Sequence, residues 1–558
     1  MKQKLLLVLL AGIIIASCSN SQLEFGSDSL QVTIGESGEL TGLIDKKTKT
    51  NYLPEEETPH LLSIRVNGEI EASSKATMEK GIITLFYKNT DVTIQVKPIE
   101  KNTHISFEVL DVTNNEKVEL ITWGPYPTTL NKIIGETVGV VQGEEYAVGI
   151  QALNIKTLGG YPWNESDRMP QFDIFEQDDP TDMRPEKARG VLYRIEAAKP
   201  TETGSSLQAY CRNRTEDRII QDFSHEKIVA PPYNDGGVIG SKIALFGCPV
   251  ENALETIGKI EVAEGLPHPM IDGQWGKTAP EAAAAYLIMD FKEDDVEKAI
   301  ELTKKAGLRY LYHYGETFKN WGHFELNEEN FPNGYAGLKK CVEKAKEQGV
   351  MIGIHVLSNF ITPNDPYVTP VPDKRLAKVG SSILIEDIDA AQTEIPIESP
   401  DFFNQFKNNH LKSVVIGDEL IRYGTVSAEA PWKLLDCQRG AFETTASTHK
   451  SGDEIAKLLD HAYKVLFNQT GLRQISFDGL EGNRSTGMGT YGESLMPYTW
   501  YNALSNDLRS HLITDGSRTT HFFWHIYSRM NLGEPWYAGF RESQTAYRLK
   551  NQKYFKRN

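Results

Sequence analysis

Asp478 and Glu481 stand three residues apart in the segment QISFDGLEGN, 474–483, where a short apolar run gives way to an acidic tip broken by glycine. Two carboxyl groups placed astride a bond suit acid–base chemistry. Cleaving a glycosidic linkage takes one to protonate the leaving oxygen and one to attack carbon or to activate water. Polar residues close other apolar runs in the same way: Asp290 in AYLIMDF, His313 and Glu316 in LRYLYHYGE, His355 and Asn359 in VMIGIHVLSNF, and Asp515 in HLITDG. Trp321, His323, Asn483 and Trp524 add aromatic and polar groups of the kind that hold sugar faces and hydroxyls. Each residue also has a plainer reading. Asp478 suits a turn cap through Gly479, His355 a hydrogen-bonded structural histidine, Asp290 the turn before a helix, and the aromatics ordinary packing. Glu481 lies too near Asp478 to span the roughly 5 Å of a retaining pair. A ligand for sugar hydroxyls is its better role, and Asp515 and Glu316 are the further candidates for the acid.

The elements that must position these residues fall into three textures. Residues 18–267 alternate apolar and polar side chains in segments such as LLSIRVNGEIEAS and GIITLFYKNTDVTIQVKP, with Asn67-Gly68 at a turn position, which predicts an antiparallel β-sandwich. Residues 279–380 and 453–558 read instead as apolar strands alternating with amphipathic helices, near 294–306 and 334–348. That pattern predicts a parallel sheet, and repeated βα units favour a TIM-type (β/α) barrel. Between them, residues 381–452 are short strands again, with Gly417-Asp418 at a tight hairpin, and read as a small all-β insertion. A third barrel helix is expected from 453, in DEIAKLLDHAYKVLFNQ, and a basic helix at the C-terminus. After Asp515 the strand–helix alternation gives out, so the barrel reads as lacking its last three units, as a piece of a longer protein would. In parallel α/β folds the loops after strand C-termini form the functional face, so the recurrence of polar residues at five such ends is the signal.

The first residues, MKQKLLLVLLAGIIIASCSN, carry two lysines, an apolar stretch too short for a confident membrane span, and small residues leading into Cys18. Residues 1–17 read as a signal peptide of bacterial lipoprotein type, which implies a diacyl anchor on Cys18 and a chain tethered at the outer membrane or cell envelope. The formal net charge of −17 disfavours nucleic acid and anionic lipid surfaces as partners. Cys211, Cys248, Cys341 and Cys437 are widely spaced and no CxxC pattern occurs, so no metal or other cofactor is expected.

FPNGYAGLKKCVEKAKEQGVMIGIHV, 331–356, and ISFDG, 475–479, resemble the α-galactosidase-related clan of retaining glycosidases. The likeness lies in the F-P-x-G helix start, the helix leading into a G-x-x-x-G-I strand, and the aspartate ending the fourth strand. It implies a sandwich followed by a barrel and Asp478 as nucleophile. The clan commonly has lysine two residues before that aspartate, where this chain has Ser476. The insertion resembles small β modules of phage tails through T-x-I-P-I, I-G-D-E-x-I-x-Y and C-x-R-G-A-F. Three functions stay open: a lipid-anchored glycoside hydrolase, a polysaccharide lyase using His313, Arg484 and Arg518, and a glycan-binding lipoprotein without catalysis.

Overall fold

The computed structural model describes residues 22–161, 197–220, 227–357, 361–404, 412–459, 472–480, 487–517, 519–530 and 556–557. Cys18, Asn359, Glu481, Asn483, Arg484 and Arg518 lie outside them.

Alternation produces two facing antiparallel sheets in the N-terminal part. One has eight strands and runs from Ile133–Gly135 through Tyr146–Ala152, Lys242–Pro249 and Ile105–Val112 to Lys75–Glu79. The other has six and centres on Leu120–Thr128 and Ser205–Arg212. Strand Ile82–Tyr87 buries every second residue, as one wet face requires. Ile64, Ile83, Leu85, Ile94, Phe107 and Trp123 belong to the shared core. Asn67 and Gly68, both at positive φ, turn the chain between Leu62–Val66 and Glu69–Ala72, the geometry a two-residue hairpin demands. Tyr146–Ala152 is buried along its whole length. Its second face meets another apolar cluster, in which Ala147 and Phe246 pack with Ile257 and Ile260 of helix α1 (Ala253–Glu264) and with Trp275 and Trp524.

The C-terminal part contains a seven-stranded, all-parallel sheet in chain order: β1 (Tyr286–Ile288), β2 (Tyr310–His313), β3 (Met351–Leu357), β4 (Gln474–Asp478), β5 (Ile513–Gly516), β6 (Arg529–Met530) and β7 (Lys556–Arg557). Helix α2 (Val296–Lys305) joins β1 to β2, α3 (Gly334–Glu347) joins β2 to β3, and α4 (Gly489–Ala503) follows β4. Val296, Ala299 and Ile300 of α2 and Leu338, Cys341, Val342 and Ala345 of α3 share one core with Leu311, Ile352, Ile354, Val356, Ile475 and Phe477. Burial of such side chains contributes about 1.5–3 kcal/mol each, so this outer face holds the sheet to its helices.

The inner face is layered. Tyr310, Met351 and Ile513 pack with Ile271 and Ala282 at the N-terminal end of the strands. Beside them Tyr286, Tyr312, Gln474, Ser476, Asp515 and Arg529 form a polar group, in which Tyr286 stands level in register with Tyr310 and Gln474 with Ile513, while Tyr312 and Asp515 lie two residues further along their strands. Arg529 of β6 reaches round to the first strand: its Nη1 donates to Ala284 O at 2.7 Å and its guanidinium lies 5.1 Å from the Tyr286 ring centre. The sheet therefore curls strongly. β7 lies against the turn Pro280–Ala283 that precedes β1.

Where the structure describes them, two expected helices are strands, at 454–458 and 556–557; 460–471 and 531–555 lie outside the described residues. Glu454–Leu458 pairs with Lys378–Ile383 on one side and Ser413–Ile416 on the other, as a central strand of a four-stranded sheet. Ile455 points into one apolar cluster, with Leu384 and Val414, while Leu458 joins another, with Leu420 and Ala441. A short apolar run buried on both faces cannot be told from a helix by periodicity. The small β region consequently spans the strands from Lys378 to Leu458. Lys556–Arg557 is likewise a strand, because it pairs with Arg529–Met530. Among the described residues no helix is long and apolar enough to cross a membrane.

Candidate active site

Parallel register brings the ends of β1 to β4 to one mouth. His355 stands opposite Ser476, and Leu357 opposite Asp478, so His355 and Asp478 occupy successive levels of the inner face on neighbouring strands. Gly479, at φ 71°, turns the chain immediately afterwards, and its N–H donates to Asp478 Oδ1 at 2.8 Å. His355 is half-buried. Its Nδ1 is 3.1 Å from the Tyr312 hydroxyl, and its ring lies 4.8 Å from that of Tyr314. Burial lowers its pKa below the ordinary histidine value, although the negative charge of Asp478 opposes that shift. Tyr314 is 55% exposed and Ile288 56% exposed, unusual for large apolar groups, and both stand at these strand ends.

Tyr312 reaches across the sheet because its neighbour in register on β3 is Gly353. A Cβ there would sit 2.5 Å from the Cβ of Gln474, so the inner face has no room for one. The phenol oxygen consequently meets His355 Nδ1, with Ser476 beside it. Tyr312 is buried, and desolvation drives its pKa well above the ordinary tyrosine value, so it stays a phenol.

Asp290 and His313 stay together, His313 Nδ1 lying 3.3 Å from Asp290 Oδ1, and the other expected residues separate from the mouth. Asp290 ties loops together, its Oδ1 accepting the N–H groups of Tyr314 and Gly315 at 2.9 and 2.8 Å. His313 is fully buried on the outer side: Nε2 donates to Phe291 O at 3.1 Å, and Nδ1 is 2.8 Å from the Thr317 hydroxyl. Both its nitrogens are engaged away from the mouth, because the last residue of β2 alternates to the face opposite Tyr312. Glu316 is exposed in the following loop, at φ 49°. Trp321 packs on Phe318 and Phe324, with ring centres 5.4 and 5.8 Å away. His323 is clasped by buried Asp365, Nδ1 to Oδ1 at 2.8 Å, and stacks on Tyr367. These two belong to a brace between the loops after β2 and β3.

Asp515 and Trp524 do not take the places expected of them. Asp515 is fully buried one layer beneath the mouth, in an ion pair with Arg529 that includes Nη2 to Oδ2 at 3.1 Å, and Gln474 Nε2 donates to it at 3.2 Å. A carboxylate committed to a buried guanidinium is a poor proton donor. Trp524 is buried in the cluster beneath the sandwich, under the ammonium of Lys277. The whole run 521–529 is buried, so its aromatics fill the junction between the sheets and present nothing to the mouth. Arg529, Gln474 and Asp365 were not singled out in the sequence. Polar residues at alternate positions 474, 476 and 478 of an apolar strand were the available signal for Gln474. Among the described residues no cluster of His, Cys, Asp and Glu is arranged to hold a metal ion.

No protein-family model matches the chain, and no curated protein does. The solved structures it resembles include glycosidases of the α-galactosidase-related clan. One is an α-galactosidase from Lactobacillus brevis, at 7% identity and TM-score 0.36, with 96% of this chain and 75% of that one covered. Another is the GH36 α-galactosidase from Geobacillus stearothermophilus, at 8% identity and TM-score 0.37, with 96% and 77% covered. A third is the α-N-acetylgalactosaminidase NagBb from Bifidobacterium bifidum, at 8% identity and TM-score 0.31. There 60% of this chain is aligned, and it spans 59% of the length of that protein.

Proposed function

We propose that the protein is a retaining glycoside hydrolase acting on oligo- or polysaccharides, with Asp478 as the nucleophile at the mouth of a (β/α) barrel. The observation that carries this reading is the position of Asp478, at the C-terminal end of β4 beside His355, at the same strand ends as exposed Tyr314 and Ile288. A carboxylate there attacks the anomeric carbon, forming a glycosyl ester as the glycosidic C–O bond breaks and the leaving oxygen takes a proton from an acid. Water then hydrolyses the ester. With Asp515 held by Arg529 and Glu481 assigned to the sugar hydroxyls, the acid falls to the loop carboxyl Glu316. The reading calls for no metal or organic cofactor, and it places the enzyme at the cell envelope on a lipid carried by Cys18.

The lyase reading loses its imidazole, because both nitrogens of His313 are engaged inside the protein. The test is a glycan panel scored for reducing sugar and for near-ultraviolet absorbance. Hydrolysis releases reducing ends without absorbance, elimination gives both, and a binding protein gives neither. On the glycan that is cleaved, Asp478→Asn should lower kcat by about a thousandfold or more while sugar binding persists in calorimetry. Near-normal turnover by that variant would remove Asp478 from the role.

A further inference from the structure

We infer that Tyr312 is a positioning residue that fixes His355 as its Nε2–H tautomer, so that the ring offers the mouth a hydrogen-bond donor beside Asp478. Three groups lie together: the Ser476 side chain, the Tyr312 phenol and His355 Nδ1, the last two 3.1 Å apart. The phenol has a single hydrogen to give. It is the strongest acid of the three, with an ordinary pKa of about 10, and the imidazole nitrogen is the strongest base, at about 6.5, so the phenol donates to Nδ1. With Nδ1 accepting, the neutral ring must carry its proton on Nε2, the nitrogen turned away from Tyr312 and toward the half-exposed side of the residue.

Burial and the Tyr312 phenol favour a neutral His355 ring, and the charge of Asp478 opposes them. Tyr312 and Tyr314 face it from β2 and the loop that follows, and Asp478 faces it from β4. Asp515 and Arg529 lie beneath Tyr312 and neutralise one another. Protonating Nδ1 would confront the phenol hydrogen and force it to turn toward Ser476. It would also place an imidazolium against Asp478, drawing that carboxylate into an ion pair and weakening it as a nucleophile. Tyr312 thereby keeps His355 a neutral donor to a sugar oxygen or to Asp478. The catalytic consequence rests on the glycosidase reading; the tautomer does not.

The experiment uses the full-length chain labelled with 15N at histidine, and the His355 signals are identified by their loss in His355→Gln. In the wild type, His355 should show a protonated Nε2 and a bare Nδ1. Tyr312→Phe should give a mixture of tautomers and raise the titration midpoint of His355 by about one pH unit, with Ser476→Ala shifting it less in the same direction. On a cleaved glycan, the acid limb of kcat/KM should move up by the same interval in Tyr312→Phe. A wild-type ring protonated at Nδ1, or a midpoint and tautomer unmoved in Tyr312→Phe, overturns the inference. If the expected tautomer and shift appear while no glycan is cleaved, the positioning role stands and the hydrolase reading alone fails.

Discussion

Asp515 shows why residue type and strand position do not suffice to assign a role. It ends a β-strand, as Asp478 does, yet β5 stops lower relative to the mouth, and Ser476 rather than Asp478 is its neighbour in register. One level of the inner face separates a carboxylate that meets solvent from one enclosed with Arg529 and Gln474. The two assignments for Asp515 give different mutants. A proton donor replaced by its amide loses activity with little change in stability, whereas removal of one partner from a buried pair leaves a guanidinium without its counterion. Arg529 keeps only its bonds to Ala282 O and Ala284 O in that case. We expect Asp515→Asn to cost about 3–5 kcal/mol in urea unfolding. The double variant Asp515→Leu, Arg529→Met should recover much of that loss, since an apolar pair of similar size avoids the stranded charge. An Asp515→Asn protein of wild-type stability would show that the pair is not closed.

The elements whose faces are decided locally were legible in the sequence. Helices α2 and α3 carry their apolar residues at helical spacing, and the inner strands β2, β3 and β4 are continuous apolar runs, so their neighbours need not be known to find them. Two segments whose burial is set by distant chain were not. Glu454–Leu458 became a strand because Lys378–Ile383 and Ser413–Ile416 flank it. The aromatics after β5 are covered by the sandwich, whose Gly139 and Gly159 approach so closely that a Cβ on either would strike His521. The same dependence on distant partners governs the chain beyond Asp478. Arg214 donates to Gly487 O at 2.7 Å, Tyr233 donates to Met488 O at 3.0 Å, and the Tyr233 ring stacks on Tyr491 at 4.2 Å, at the start of α4. The sandwich thus anchors the start of α4, the next described element after the candidate nucleophile. Tyr233→Leu removes the stack and the hydrogen bond, together about 1.5–3 kcal/mol of local support. Amide exchange at 487–491 should quicken by about tenfold or more while exchange in β4 is unchanged. Equal acceleration in both would mean that the start of α4 has no independent anchor.

The junction between the sandwich and the parallel sheet should make the whole molecule acid-sensitive, and the cause is three histidines buried in their neutral forms. His521 Nε2 accepts the Ala152 N–H at 3.0 Å while Nδ1 donates to Thr137 O at 3.0 Å, so a second proton would face the Ala152 N–H directly. Burial pushes this ring down to about 4 and His525, whose Nδ1 donates to Pro267 O, down to about 3. His268 is pushed down to about 4 by burial, and burial also raises its 2.6 Å partner Glu261 well above the carboxylate range, so the two form a neutral pair. Unfolded, each ring takes up a proton below about pH 6.5. Between that pH and the depressed folded value the unfolded chain binds more protons at each ring, so the contribution of the rings is complete above about 6.5 and falls as the pH drops toward 4, while protonated Glu261 acts in the opposite sense. For His521 alone the loss is on the order of 3 kcal/mol. Melting temperature should therefore decline steadily from pH 6.5 to 4, and His521→Gln, which titrates nowhere in that interval, should start lower at pH 7 but decline less steeply. A variant that falls in parallel with the wild type would show that the junction stays shut in acid and that other groups drive the unfolding.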